Sequence, residues 1–89
     1  MTKGHLTLGT ITEINRAANR IAVLLGNGFF TVCRLLEHRG DLHIGETVLG
    51  RLAKPGASMV TALTSDRTFR ALILGVYPDR ASALEMVHC

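Results

Sequence analysis

The tripeptide Gly26-Asn27-Gly28 separates two apolar runs, residues 20 to 25 and 29 to 36, and constrains the fold more than any other feature of the chain. Gly and Asn accept the positive φ angles that tight hairpin loops require. Ile21, Val23 and Leu25 share one parity, as the inward face of a strand must. Residues 29 to 36 are therefore expected to fold back, antiparallel, on residues 21 to 25.

Similar punctuation recurs along the chain. Residues 6 to 14 mix Leu and Ile with threonines and a glycine, a strand-favouring composition. Leu6 and Leu8 fall on one parity and Ile11 on the other, which a bulge near Gly9-Thr10 would reconcile. Residues 15 to 19 read as a polar loop, so the first 36 residues form a three-stranded meander. Residues 37 to 41 read as a loop or short helical turn. Further strands are expected at 46 to 52, 58 to 64 and 69 to 77, with Lys54-Pro55-Gly56-Ala57 and Ser65-Asp66-Arg67 as the turns between them. After Pro78, Asp79 can cap a helix over residues 80 to 88 with Ala81, Leu84 and Val87 on its apolar stripe. Short strands at this spacing imply a mainly β fold, a small five- to six-stranded antiparallel barrel with a short C-terminal helix, because closure removes aggregation-prone edges.

The 89 residues suffice for one domain, and 47 % apolar content is that of a folded chain. No apolar stretch reaches the length of a membrane span, and the N-terminus has no signal-like apolar segment. Cys33 and Cys89 match no disulfide framework, so a reduced, cytoplasmic protein is expected. Ten Lys and Arg against seven acids permit a polyanion as partner, although a net charge of +3 equally describes a solvated surface.

At Gly9-Thr10-Ile11, Gly28-Phe29-Phe30 and Leu42-x-x-Gly45-Glu46-x-Val48 the chain resembles the OB-fold domains of the S1 and cold-shock type. The resemblance spans roughly residues 6 to 64. It departs from that group in lacking a Lys-Gly-Phe-Gly-Phe run and in placing two strands after Val48. It implies a ligand face on strands two and three, with the loop between strands one and two and a later loop. That face would offer Arg16, Asn19 and Arg20 to phosphates, Phe30 as a base-stacking surface and Arg34 beside it, with Arg51 and Lys54 extending the groove. The competing reading of Phe29 and Phe30 is core, and that of each arginine a solvated surface.

Cys33, His38 and His43 recur at intervals of five but fit no zinc signature, so no metal or other cofactor is expected. Ser58, Ser65 and Ser82 lack a nucleophile-elbow setting, and the acids are scattered; no enzyme chemistry is indicated. Two functions remain: a binding module for single-stranded RNA or DNA, and a protein-interaction module acting as a homodimer. The second rests on the last strand, where Phe69, Ala71, Ile73 and Tyr77 occupy one parity and Leu72, Leu74 and Val76 the other, with Arg70 interrupting the outward set. That surplus requires cover from the C-terminal helix or from another subunit, which would make Leu72, Leu74 and Val76 interface residues.

Overall fold

The computed structural model describes residues 6–37 and 42–88. The chain runs β1 (Thr7–Asn15), β2 (Arg20–Leu25), β3 (Phe30–Leu35), β4 (Thr47–Gly50), β5 (Gly56–Ala62), β6 (Arg67–Tyr77) and α1 (Arg80–Val87). The strands close into a barrel in the order β1-β2-β3-β6-β5-β4, every neighbour antiparallel. Two three-stranded meanders are thus zipped together along β1·β4 and β3·β6. The six antiparallel strands and the short C-terminal helix match the sequence expectation; no strand edge is left open.

The hairpin between β2 and β3 forms where Gly26-Asn27-Gly28 requires it. The Leu25 N–H donates to Phe29 O at 2.8 Å, the Gly28 N–H to Leu25 O at 3.0 Å, and Gly28 takes φ +91°. The Phe29 N–H donates to Asn27 Oδ1 at 3.0 Å, so the Asn side chain completes the turn.

Inside the barrel, Ile11, Ile21, Val23, Cys33, Val48, Leu52, Val60, Phe69 and Ile73 form the main core with Leu42. Gly9 faces inward and is needed there: a Cβ would clash with Val23 Cγ1, so the missing side chain is the space Val23 fills. Burial pushes the Cys33 thiol up to about 12, because a thiolate in this core would lose its hydration. The folded chain keeps a proton that an unfolded cysteine releases near pH ~8.5. The stability this carries is complete below that pH and declines toward pH 12 by about 1 kcal/mol or slightly more per pH unit. Denaturation of Cys33→Ala should accordingly depend less steeply on pH between about 9 and 11 than that of the parent chain. Parallel curves would contradict a buried, protonated Cys33.

Two bulges interrupt the alternation, one in β1, where an irregularity was expected, and one in β6, where none was. In β1 the register passes from Ile11↔Val23 to Glu13↔Ala22, so the extra residue is Thr12, not a residue near Gly9-Thr10. Ile11 and Ile14 both reach the core this way, whereas Leu6 and Leu8 stay exposed. In β6 the register passes from Val32↔Gly75 to Cys33↔Ile73, which makes Leu74 the extra residue. Beyond it Val76 pairs with the fully buried Thr31 and takes the inward face, while Tyr77 pairs with Phe30 and turns outward.

A second, smaller core lies outside the barrel, beneath α1. Ala22 and Val32 from the outer faces of β2 and β3 meet Ala83 and Val87 of the helix, and Phe30, Leu74, Tyr77 and Met86 pack around them. Asp79 caps α1 through a 2.8 Å bond from the Ser82 N–H to Oδ1, and that bond lowers the Asp79 pKa. At the other end Arg20 Nη1 donates to Met86 O at 2.6 Å and Asn15 Nδ2 to Val87 O at 2.8 Å, so barrel side chains satisfy the orphan carbonyls. The buried stripe is Ala83–Val87, one turn apart, with Ala81 exposed and Leu84 half-buried. The expected stripe of Ala81, Leu84 and Val87 is corrected accordingly.

These contacts also answer where the apolar surplus of the last strand goes. Leu74 is covered by α1 and Val76 turns inward at the bulge, leaving Leu72, half-buried, as the outward apolar residue of the three. Of the two covers expected, the C-terminal helix or another subunit, the helix shields Leu74.

Candidate nucleic-acid interface

The residues expected to face a nucleic acid separate into two groups. Arg16, Asn19, Arg20 and Phe30 are engaged in holding the fold. Arg16 Nη2 donates to Leu42 O at 2.7 Å. Asn19 occupies the left-handed region at φ 59°, its amide donating to Leu35 O at 3.0 Å and Glu37 O at 3.3 Å, which ties the β1–β2 loop to the end of β3. Arg20 sits directly opposite Arg34, a like-charge pair that is unfavourable by itself. The Met86 carbonyl draws the Arg20 guanidinium to the negative end of α1 and offsets the repulsion. Phe30 packs against the helix-side core and is not a free stacking platform. In each case the cause is local: loop-end and helix-end carbonyls need donors, and an apolar outer face of β3 needs cover.

Arg34, Arg51 and Lys54 are exposed. Lys54 stands in the turn before β5 and does not line the groove described next. Arg34 lies outward on β3 opposite Leu72 of β6, and Leu72 in turn faces Ala57 of β5. The adjoining row contains Arg70 of β6, which pairs with Met59 of β5 and whose carbonyl accepts the Leu36 N–H at 3.1 Å. Arg51 follows Gly50, the partner of Val60, so the same register brings it next to Met59 from the β4 side. Across the barrel wall the row reads Arg51, Met59, Arg70, Leu36, with Arg34 and Leu72 alongside.

This row walls a groove of about 550 Å³ lined by Leu6, Leu36, Arg51, Ala57, Ser58, Met59 and Arg70. Among the described residues no carboxylate lines it. Among the described residues Arg34, Arg51 and Arg70 make no side-chain hydrogen bond or ion pair. The polar complement is therefore two guanidinium groups of fixed positive charge and one hydroxyl, set among exposed aliphatic side chains. No family model, curated protein or solved structure matches the chain.

Sequence reasoning passed over Arg70, Leu36 and Met59. Arg70 was visible as the one charge on the outward parity of the last strand, but its nearness to Arg51 depends on β6 and β4 flanking β5. Leu36 and Met59 carried no signal, since isolated exposed aliphatics are common.

The element Leu42-x-x-Gly45-Glu46-x-Val48 is a structural turn. Gly45 takes φ +97°, its N–H donates to Ile11 O at 2.8 Å, and Glu46 Oε1 accepts the His43 N–H at 2.9 Å. It docks the chain onto β1 and buries Leu42 and Val48 at either side of the turn. Of the residues considered for zinc, Cys33 points into the core, His43 is exposed and His38 lies outside the described residues. Among the described residues no group of three His, Cys, Asp or Glu could hold a metal ion, and no helix is long and apolar enough to cross a membrane.

Proposed function

We propose that the protein is a non-enzymatic binding module for single-stranded nucleic acid, acting as an OB-like barrel. The observation that carries this reading is the cluster of Arg34, Arg51 and Arg70, three exposed arginines without side-chain partners among the described residues, on one continuous stretch of barrel wall. Charges held together without counter-charges repel one another and are retained at a cost in stability, which a polyanionic ligand reverses. The OB resemblance implies a ligand face that includes strand three, and Arg34 stands on it; the face then extends over β6 and β5, where Arg70 and Arg51 join. A closed barrel has no free strand edge on which an extended peptide could be added, which favours a ligand recognised through charge and base contacts over a β-augmenting peptide.

The test is a salt titration. Binding of oligothymidylate should weaken with added salt, because each neutralised phosphate of a single strand contributes roughly 0.7 to the slope of log affinity against log salt. Replacing Arg34, Arg51 and Arg70 together by Ala removes three such contacts and should flatten the slope by about 2. Lys54→Ala, on a turn outside the groove, should leave the slope within about half a unit of the parent value. A slope unchanged in the triple variant would mean that the face is elsewhere; no binding at low salt would end the nucleic-acid reading.

A further inference from the structure

The groove holds more than charge. Met59 and Leu36 are 55 % and 44 % exposed, and they alternate with the two arginines along the row Arg51, Met59, Arg70, Leu36. Neighbouring strands stand about 4.8 Å apart, so Arg51 and Arg70 are separated by two strand spacings, roughly 10 Å, with Met59 between them. An aliphatic floor of this kind, open to water and flanked by fixed cations, suits a ligand with a flat apolar face and acceptor groups at its rim. We infer that the groove takes one unstacked nucleobase of a bound single strand, laid against Met59 and Leu36, with the adjoining phosphates on Arg51 and Arg70. This rests on the nucleic-acid reading given above and adds a base subsite to it.

Three features favour a base over other apolar groups. The groove offers donors and almost no acceptors, since Arg51 and Arg70 only donate and the Ser58 hydroxyl is turned to the Met59 carbonyl at 3.3 Å. Base edges and phosphates are rich in acceptors. The Met59 thioether is polarisable and flexible, so it packs well against aromatic faces of different shape. A base within a duplex has both faces covered by its neighbours, which restricts the subsite to single strands and ends. The barrel thereby obtains a base platform without an aromatic residue, the role Phe30 cannot fill beneath α1.

The experiment compares three ligands of equal length: oligothymidylate, the same chain made abasic, and a duplex. Each is titrated against the parent protein and against the double variant Met59→Ser, Leu36→Ser. Both positions are exposed, and a thermal melt confirms that the variant is folded. The parent should bind oligothymidylate about 5-fold more tightly than the abasic chain, the low end of the range for a base on an aromatic platform, since an aliphatic one packs against a single base face. The double variant should lose that preference while keeping the same salt slope. Equal binding of the abasic and base-containing chains, or a duplex bound as tightly as the single strand, overturns the base subsite and leaves the phosphate face standing. Failure of the parent protein to bind any oligonucleotide overturns both. An acidic peptide bound where oligothymidylate is not would reassign the groove to a protein partner and overturn both as well.

Discussion

Phe69→Ala should lower the free energy of unfolding by about 3–5 kcal/mol, the range for truncating a fully buried aromatic. Phe69 is the largest fully buried side chain of the barrel, 1 % exposed, and lies on β6 opposite Val60. Its core neighbours are held on strands of a closed barrel, so they can relax only partly into the void left by the ring. A domain of this length is stable by about 4–13 kcal/mol, so this one ring accounts for about a quarter of the total or more. Chemical denaturation should show the midpoint falling with little change in slope. A loss under about 1 kcal/mol would be incompatible with a barrel packed around this residue.

The second large effect is expected at the helix. Val87 is fully buried against Ala22 and Val32, and an aspartate there would need to carry its charge into an apolar contact. Undocking α1 avoids that cost but uncovers Val32, Phe30, Leu74 and Tyr77, and releases the bonds from Arg20 and Asn15 to the helix end. With each uncovered large apolar side chain contributing about 1.5–3 kcal/mol, Val87→Asp should cost at least about 3 kcal/mol. The barrel strands themselves do not pass through α1, and their amide protection should outlast that of the helix. The uncovered patch should make the variant self-associate with rising concentration, which sedimentation would detect. A variant with unchanged stability and unchanged sedimentation would mean that the helix does not seal this surface.

The two bulges show where one-dimensional reading reached its limit. Alternation along residues 69 to 77 put Tyr77 inside and Val76 outside, and the extra residue Leu74 reverses both. A bulge has no reliable signature of its own when the residue inserted is an ordinary aliphatic. In β1 the conflicting parity of Leu8 and Ile11 did announce an irregularity, but Thr12 was as able to host it as Gly9-Thr10, and only the pairing with β2 places it there. The candidate site divides in the same way. The OB resemblance pointed to Arg34 and Arg51, which are exposed, and equally to Arg16, Asn19 and Arg20, which are diverted to carbonyls that no local pattern places near them.

The sequence by itself determined the strand-rich class, the hairpin at Gly26-Asn27-Gly28, the near-boundaries of all six strands and the Asp79 cap. These are local properties, set by φ preferences, side-chain alternation and bonds spanning a few residues. Only the tertiary structure decided which strands close the barrel, that β1 meets β4 and β3 meets β6, and hence that Arg51, Met59 and Arg70 share one row with Leu36. Those pairings join segments far apart in the chain. Their energy comes from burying a common core, to which any one strand contributes only an inward face that could have met several others.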